Sequence, residues 1–167
     1  MARREGRASG GRQLNEHPET RARMVDVTSK EVTVREATAA ALVRMDAATR
    51  DLVMQGRLEK GDALEVARIA GVMAAKRTSD LIPLCHPLAL GAVDVELSAV
   101  DDGIEVRATV KTSERTGVEM EAMAAVTVAG LTVYDMVKSV ERGVCLTDVR
   151  LLRKLGGRSG EWLNPEG

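Results

Sequence analysis

Two stretches with a period of two most constrain the fold of this chain. Val93-Asp94-Val95-Glu96-Leu97 and Ile104-Glu105-Val106-Arg107-Ala108-Thr109-Val110 alternate apolar and polar side chains, with Asp101-Asp102-Gly103 between them. Side chains of a strand point alternately to its two faces, so the pattern predicts a hairpin with one face against a core and one toward water. A sheet of this kind needs a second layer over its apolar face.

The rest of the chain supplies that layer. From Thr33 to Met45 two templates compete: Thr33 with Glu36 fits a helix capping box, whereas Ala37, Ala39, Ala41, Val43 and Met45 recur at period two. The strand is the favoured reading. Asp46 then caps a short helix to about Gln55, stopped by Gly56. Arg57 to Gly61 form a polar connection containing Lys60, and Asp62 with Glu65 opens a second helix. Its apolar positions Leu64, Ala67, Ile69, Ala70 and Met73 carry it to about Arg77.

Beyond the hairpin, Lys111 to Gly117 is polar and turn-like, and Val118 to about Arg142 reads as one long, weakly polar helix ending at Gly143. A helix apolar on several sides is buried by more than one neighbour. Val144 to Leu152 is a last strand, followed by a glycine-rich basic segment over 154–160. The order strand, helices, two strands, helix, strand predicts an α+β fold: a ferredoxin-like plait, an antiparallel sheet with helices packed on one face. Residues 24–160 are expected to form a single domain. Residues 1–23, rich in Arg, Gly and Ser, read as a disordered tail, with a basic contact arm as the other reading; 161–167 read as a C-terminal tail.

Charge narrows the function. With 24 basic against 25 acidic residues there is no global field to attract nucleic acid or an anionic membrane, so any anion site must be local. Phe is absent, leaving Trp162 and Tyr134 as the aromatics, which opposes a stacking platform for single-stranded nucleic acid. Cys85 and Cys145 fit no zinc spacing, so no metal or other cofactor is expected, and the thiols suit a reducing cytoplasm. No apolar run reaches the length of a membrane span.

Polar chemistry gathers at Lys76-Arg77-Thr78-Ser79-Asp80-Leu81-Ile82-Pro83-Leu84-Cys85-His86-Pro87-Leu88. Pro83 and Pro87 push the preceding residues toward extended geometry, so the stretch is expected to be an ordered loop rather than a helix. Such a loop can fix Cys85 and His86 in a cleft; equally, Leu84, Cys85 and Leu88 can be core and His86 a half-buried, satisfied histidine.

Acidic residues Glu119 and Glu121 flank Met120 at the start of the long helix, where the helix dipole alone accounts for them. Asp135 and Lys138, three apart, share a helix face. Either they are a surface ion pair, or apolar neighbours such as Tyr134 and Met136 bury them enough to shift each other's pKa and move protons. Lys60, Lys111, Lys154 and Arg158 are solvated charges singly and a phosphate site only if brought together. Glu121 and Asp135, 14 positions apart, share a face at about 21 Å along one helix. If both serve a small ligand, each site must mix residues from two subunits.

Five of these stretches, taken in order, carry a resemblance. Met24-Val25-Asp26-Val27, Lys76 through Leu88, Gly117-Val118-Glu119-Met120-Glu121-Ala122, Tyr134-Asp135-Met136-Val137-Lys138 and Gly156-Gly157-Arg158-Ser159-Gly160 together resemble the cyclic pyranopterin monophosphate synthase family, accessory protein C of molybdenum cofactor biosynthesis. Ser79, Val137 and Arg158 depart from the family's pattern; Arg158 keeps the charge of the usual lysine but not its geometry.

The resemblance implies a lyase on a ferredoxin-like protomer, assembled as a homohexamer (a trimer of dimers) with active sites at subunit interfaces. It implies a small-molecule substrate, a cyclised dihydro-GTP supplied by a radical-SAM GTP cyclase, and loss of diphosphate to give cyclic pyranopterin monophosphate. Carried over residue by residue, it places substrate-binding roles on Leu84, Cys85, His86, Met120 and Glu121, further pocket positions on Glu119 and Lys154, and catalytic roles on Asp135, Lys138 and Lys60. Lysines suit a departing diphosphate, and Asp135, Lys138 and His86 suit the proton transfers of ring opening and reclosure. With so few aromatics, hydrogen bonds and aliphatic contacts must hold the pterin precursor. Physics alone leaves two other readings: a non-catalytic nucleotide-binding regulatory plait, and an RNA-binding plait, which the lack of sheet aromatics opposes.

Overall fold

A computed structural model of the chain describes residues 21–158 and 160–165. Most of the expected N-terminal tail, up to residue 20, lies outside the described residues, as do Ser159 and the last two residues of the C-terminal tail.

Five strands, β1 (Thr33–Arg44), β2 (Leu90–Val100), β3 (Gly103–Glu114), β4 (Cys145–Leu155) and β5 (Trp162–Leu163), form one antiparallel sheet in the order β2-β3-β1-β4-β5. Helices α1 (Ala47–Met54), α2 (Ala63–Lys76), the single turn α3 (Thr78–Leu81) and α4 (Glu119–Val137) complete the elements among the described residues. α4 lies across β1, β3 and β4, and α2 packs beside it over β2. This is the ferredoxin-like plait, extended by one short strand.

The expected hairpin pairs Leu97 with Val106 and Val100 with Gly103. Its inward side chains Val95, Val106, Ala108 and Val110 join Ala37, Ala39, Ala41 and Val43 of β1 and Ala122, Ala125, Val126, Ala129 and Val133 of α4 in one core. Without phenylalanine, this core depends on close approach of its layers. At Gly71 of α2 an added Cβ would lie 3.1 Å from the carbonyl oxygen of Ala125 and 3.3 Å from Cβ of Ala129, so glycine lets α2 lie directly on α4. α4 is long and apolar enough by composition to cross a membrane, but its apolarity is accounted for by packing against the sheet and α2.

Several local expectations are corrected. Thr78–Leu81 is a helical turn within the stretch read as loop: the Thr78 hydroxyl donates to the carbonyls of Ala74 and Ala75, and Pro83 constrains only Ile82, which is extended at φ −116° and ψ 106°. β3 runs on through Lys111 to Glu114 because β1 pairs with it along the whole length. α4 stops at Val137 rather than near Arg142, since Val140 and Glu141 both donate to the Val137 carbonyl and the Glu141 carboxylate turns back to accept from the Asp46 N–H. The Asp46 side chain makes no cap bond, whereas Asp62 caps α2 through the N–H groups of Leu64 and Glu65. Lys154 and Leu155 belong to β4, and Trp162–Leu163 pair with it as β5.

Candidate functional site

α4 divides the ten sequence-selected residues into two groups. Seven gather at its N-terminal end, and three at its C-terminal end.

The N-terminal group surrounds two adjoining cavities that share Lys30, Thr116, Gly117 and Glu119 as a common border. The smaller, about 420 Å³, is lined by Leu84, Cys85 and His86 from the segment after α3 and by Met120 and Glu121 from the first turn of α4, with Val25, Val27 and Leu88 adding apolar wall. The turn that delivers Cys85 is closed by its N–H donating to Ile82 at 3.0 Å. Glu121 is 4% exposed. Burial pushes its carboxyl above the usual range against the pull of its own backbone N–H, and the charge of Glu119 adds to the rise. The Cys85 thiol is likewise pushed up by burial and then by Glu121. Asp26, on the lead into β1, keeps a depressed carboxyl chiefly through hydrogen bonding to Thr28, with His86 a minor contributor. The smaller cavity thus presents aliphatic walls around one carboxyl, Glu121, and one thiol, Cys85, that are both pushed toward their neutral forms.

The larger cavity, about 730 Å³, is cationic: Lys30, Arg35, Arg115, Lys154 and Arg158 line it against Glu31 and Glu119. Lys154 donates to Glu119 at 3.1 Å, both side chains being about two-thirds buried. Arg35 donates through Nη2 to the Arg115 carbonyl at 3.4 Å, and its Nε is buried with no hydrogen-bond partner among the described residues. Gly157, at φ +72°, lies against the Arg35 guanidinium where a Cβ would overlap it, so glycine here both permits the turn and leaves the guanidinium in place. Sequence reading missed Lys30, Arg35 and Arg115. Arg35 carried a usable signal: it occupies the same parity as the buried Ala37, Ala39, Ala41 and Val43 of β1, a charge on the core-facing register.

At the other end of α4, Lys60 Nζ donates to Asp135 Oδ2 at 2.7 Å and to the Asp135 carbonyl at 2.8 Å, and Lys138 Nζ meets Oδ1 at 2.6 Å. The expected partial burial of this pair is absent, the two side chains being 54% and 52% exposed. Hydrogen bonds from Lys138 and then Lys60 instead hold the Asp135 carboxyl down to about 2, and Asp135 in turn raises Lys138. Of the four cations considered together in the sequence, Lys154 and Arg158 share the larger cavity; Lys60 is at the far end of α4, and Lys111 pairs with Glu36 at 2.8 Å on the sheet face away from the helices.

The MoaC family model matches residues 24–157. The cyclic pyranopterin monophosphate synthase of Streptomyces avermitilis is 57% identical over 141 residues, covering 84% of this chain and 83% of the relative. The synthases of Parvibaculum lavamentivorans and Cereibacter sphaeroides are 58% and 59% identical, covering 84% and 85% of this chain and 89% and 91% of their own lengths. With that match across the strands, the loop and the helix that build both cavities, this chain belongs to the MoaC family.

Proposed function

We propose that this chain acts as a cyclic pyranopterin monophosphate synthase in molybdenum cofactor biosynthesis, a lyase converting 3',8-cyclo-7,8-dihydroguanosine 5'-triphosphate to cyclic pyranopterin monophosphate and diphosphate. The observation that carries this reading is the union of a cationic and a largely aliphatic cavity across Glu119. A nucleoside triphosphate has two halves to match, an anionic phosphate chain for the cationic cavity and a ring system for the other.

In this reading the ring system sits against Leu84, Cys85, His86, Met120 and Glu121, and the phosphates sit among Arg35, Arg115, Lys154 and Arg158. Preorganised cations stabilise the charge that grows on departing diphosphate. Proton transfer falls to Asp135 and Lys138, with Lys60 neutralising phosphate charge and His86 a further proton carrier. About 21 Å of helix separates Glu121 from Asp135, so the catalytic trio serves a cavity of another subunit in a homohexamer, a trimer of dimers. Exposed apolar side chains support assembly: Val66, Ile69 and Met73 share a face of α2, and Leu131 and Tyr134 lie on α4. Residues 24–160 act as one catalytic unit in the cytoplasm, with a radical-SAM GTP cyclase supplying the substrate.

The test is incubation with the cyclised triphosphate while following diphosphate release and pterin formation together. Binding without release of diphosphate would assign the chain to the regulatory class instead.

A further inference from the structure

β4 changes phase just before it reaches the cationic cavity. Leu151 pairs with Ala39 and takes the core face, yet Arg153 pairs with Thr38 and Lys154 with Ala37, leaving Leu152 as an extra residue without a partner on β1. An unbulged strand would turn Lys154 to the helix-free face, because a shift of one residue exchanges the two faces of a strand. With the bulge, Lys154 reaches Glu119 and the cavity, while Arg153 takes the other face and bonds Glu36 at 3.1 Å. Bulges of this kind re-aim side chains beside functional sites.

The bulge is held from its outer side. The Asn164 N–H donates to the Leu152 carbonyl at 2.8 Å, and its Nδ2 donates to the Leu151 carbonyl at 3.0 Å. β5 brings Asn164 there by pairing Leu163 with Arg153 and Trp162 with Lys154, and Glu161 accepts from Arg153 at 2.6 Å. Glu161, Trp162, Leu163 and Asn164 lie beyond residues 24–157, where the family match ends.

We propose that Asn164 is a positioning residue: by holding both carbonyls of the Leu151–Leu152 bulge, it aims Lys154 into the cationic cavity and so sets the affinity of that cavity for polyphosphate. The polyphosphate half of this inference rests on the function proposed above; the aiming of Lys154 does not.

The experiment is calorimetric titration of the full chain and its variants with inorganic triphosphate. Asn164→Ala is expected to bind about fivefold more weakly, the scale of one lost hydrogen bond, and a chain ending at Gly160 more weakly still. In a Lys154→Ala background Asn164→Ala is expected to cost nothing further, because it acts through Lys154. Unchanged affinity in both variants, or an undiminished second loss in the Lys154→Ala background, would overturn the proposal. If the wild-type chain takes up no triphosphate, the phosphate assignment of the cavity is what fails. Reductive methylation of Lys154 then decides the aiming: faster modification in the shortened chain upholds it, and an unchanged rate overturns it.

Discussion

Lys60 holds Asp135 at two points, its ammonium donating both to the carboxylate at 2.7 Å and to the main-chain carbonyl at 2.8 Å. With Lys138 on the other carboxylate oxygen, Asp135 is an anion held by two cations, and its carboxyl is held down to about 2. So weak a base cannot take a proton near neutrality unless the ammoniums leave it.

The first prediction follows from that exchange. In carbon-detected NMR titrations Asp135 of the free protein should stay ionised until pH falls to about 2, and Lys138→Ala should move its midpoint up toward the ordinary 3.8. Because the folded-state pKa is depressed, the stability it contributes is present above 3.8 and lost as pH falls through about 2. Inorganic triphosphate that draws Lys60 away should also raise the midpoint; an unmoved midpoint at saturation would show that phosphate and Asp135 do not compete for Lys60.

A second prediction separates chemistry from docking. Asp135→Asn and Lys138→Ala should each lower kcat on the order of 100- to 10,000-fold while thermal unfolding and substrate affinity change little, since both side chains are more than half exposed. Lys60→Ala should lower kcat more than it raises KM if its contact strengthens as charge develops. A pure KM effect would reduce Lys60 to a docking residue.

How much of this was legible in the sequence depended on which signal each element carried. The hairpin and β1 were readable because alternation is local to each strand, and the six selected residues that line the smaller cavity were readable because two compact motifs hold them. Boundaries set by distant partners were not. Nothing near Lys111 reports that β1 pairs along its whole length, and nothing near Arg142 reports that Glu141 turns back to Asp46. The exposure of Asp135 was misread for the same reason: Val133, Met136 and Val137 are buried on α4, while Asp135 and Tyr134 are exposed and Asp135 pairs with Lys60. The Leu152 bulge is set by register against β1 and left no mark in the local pattern.

The third prediction concerns Glu121, buried with its carboxyl pushed upward. A raised carboxyl pKa means the folded state holds the proton more tightly than the unfolded chain, so this group's contribution to stability falls as pH rises past the ordinary glutamate value. Glu121→Gln should therefore raise Tm at pH 7 by roughly 2–4 °C, the effect of about 1 kcal/mol in a chain of this size. The advantage should vanish below the ordinary glutamate range. An equal gain at acid and neutral pH would show that packing, not charge burial, is responsible.

The last prediction addresses how the two ends of α4 come to act on one molecule. With Glu121 and Asp135 on one helix about 21 Å apart, a composite site predicts complementation between two inactive proteins. Glu121→Ala subunits carry an intact Lys60, Asp135 and Lys138 cluster, and Asp135→Asn subunits carry intact cavities. Mixed oligomers should therefore contain some interfaces where both intact halves meet, and activity should reappear after subunit exchange. Random mixing into shared interfaces gives no more than a fraction of the wild-type rate, so the recovered activity should rise with the extent of exchange followed by native mass spectrometry. Full exchange without regained turnover would count against residues from different subunits meeting in one site.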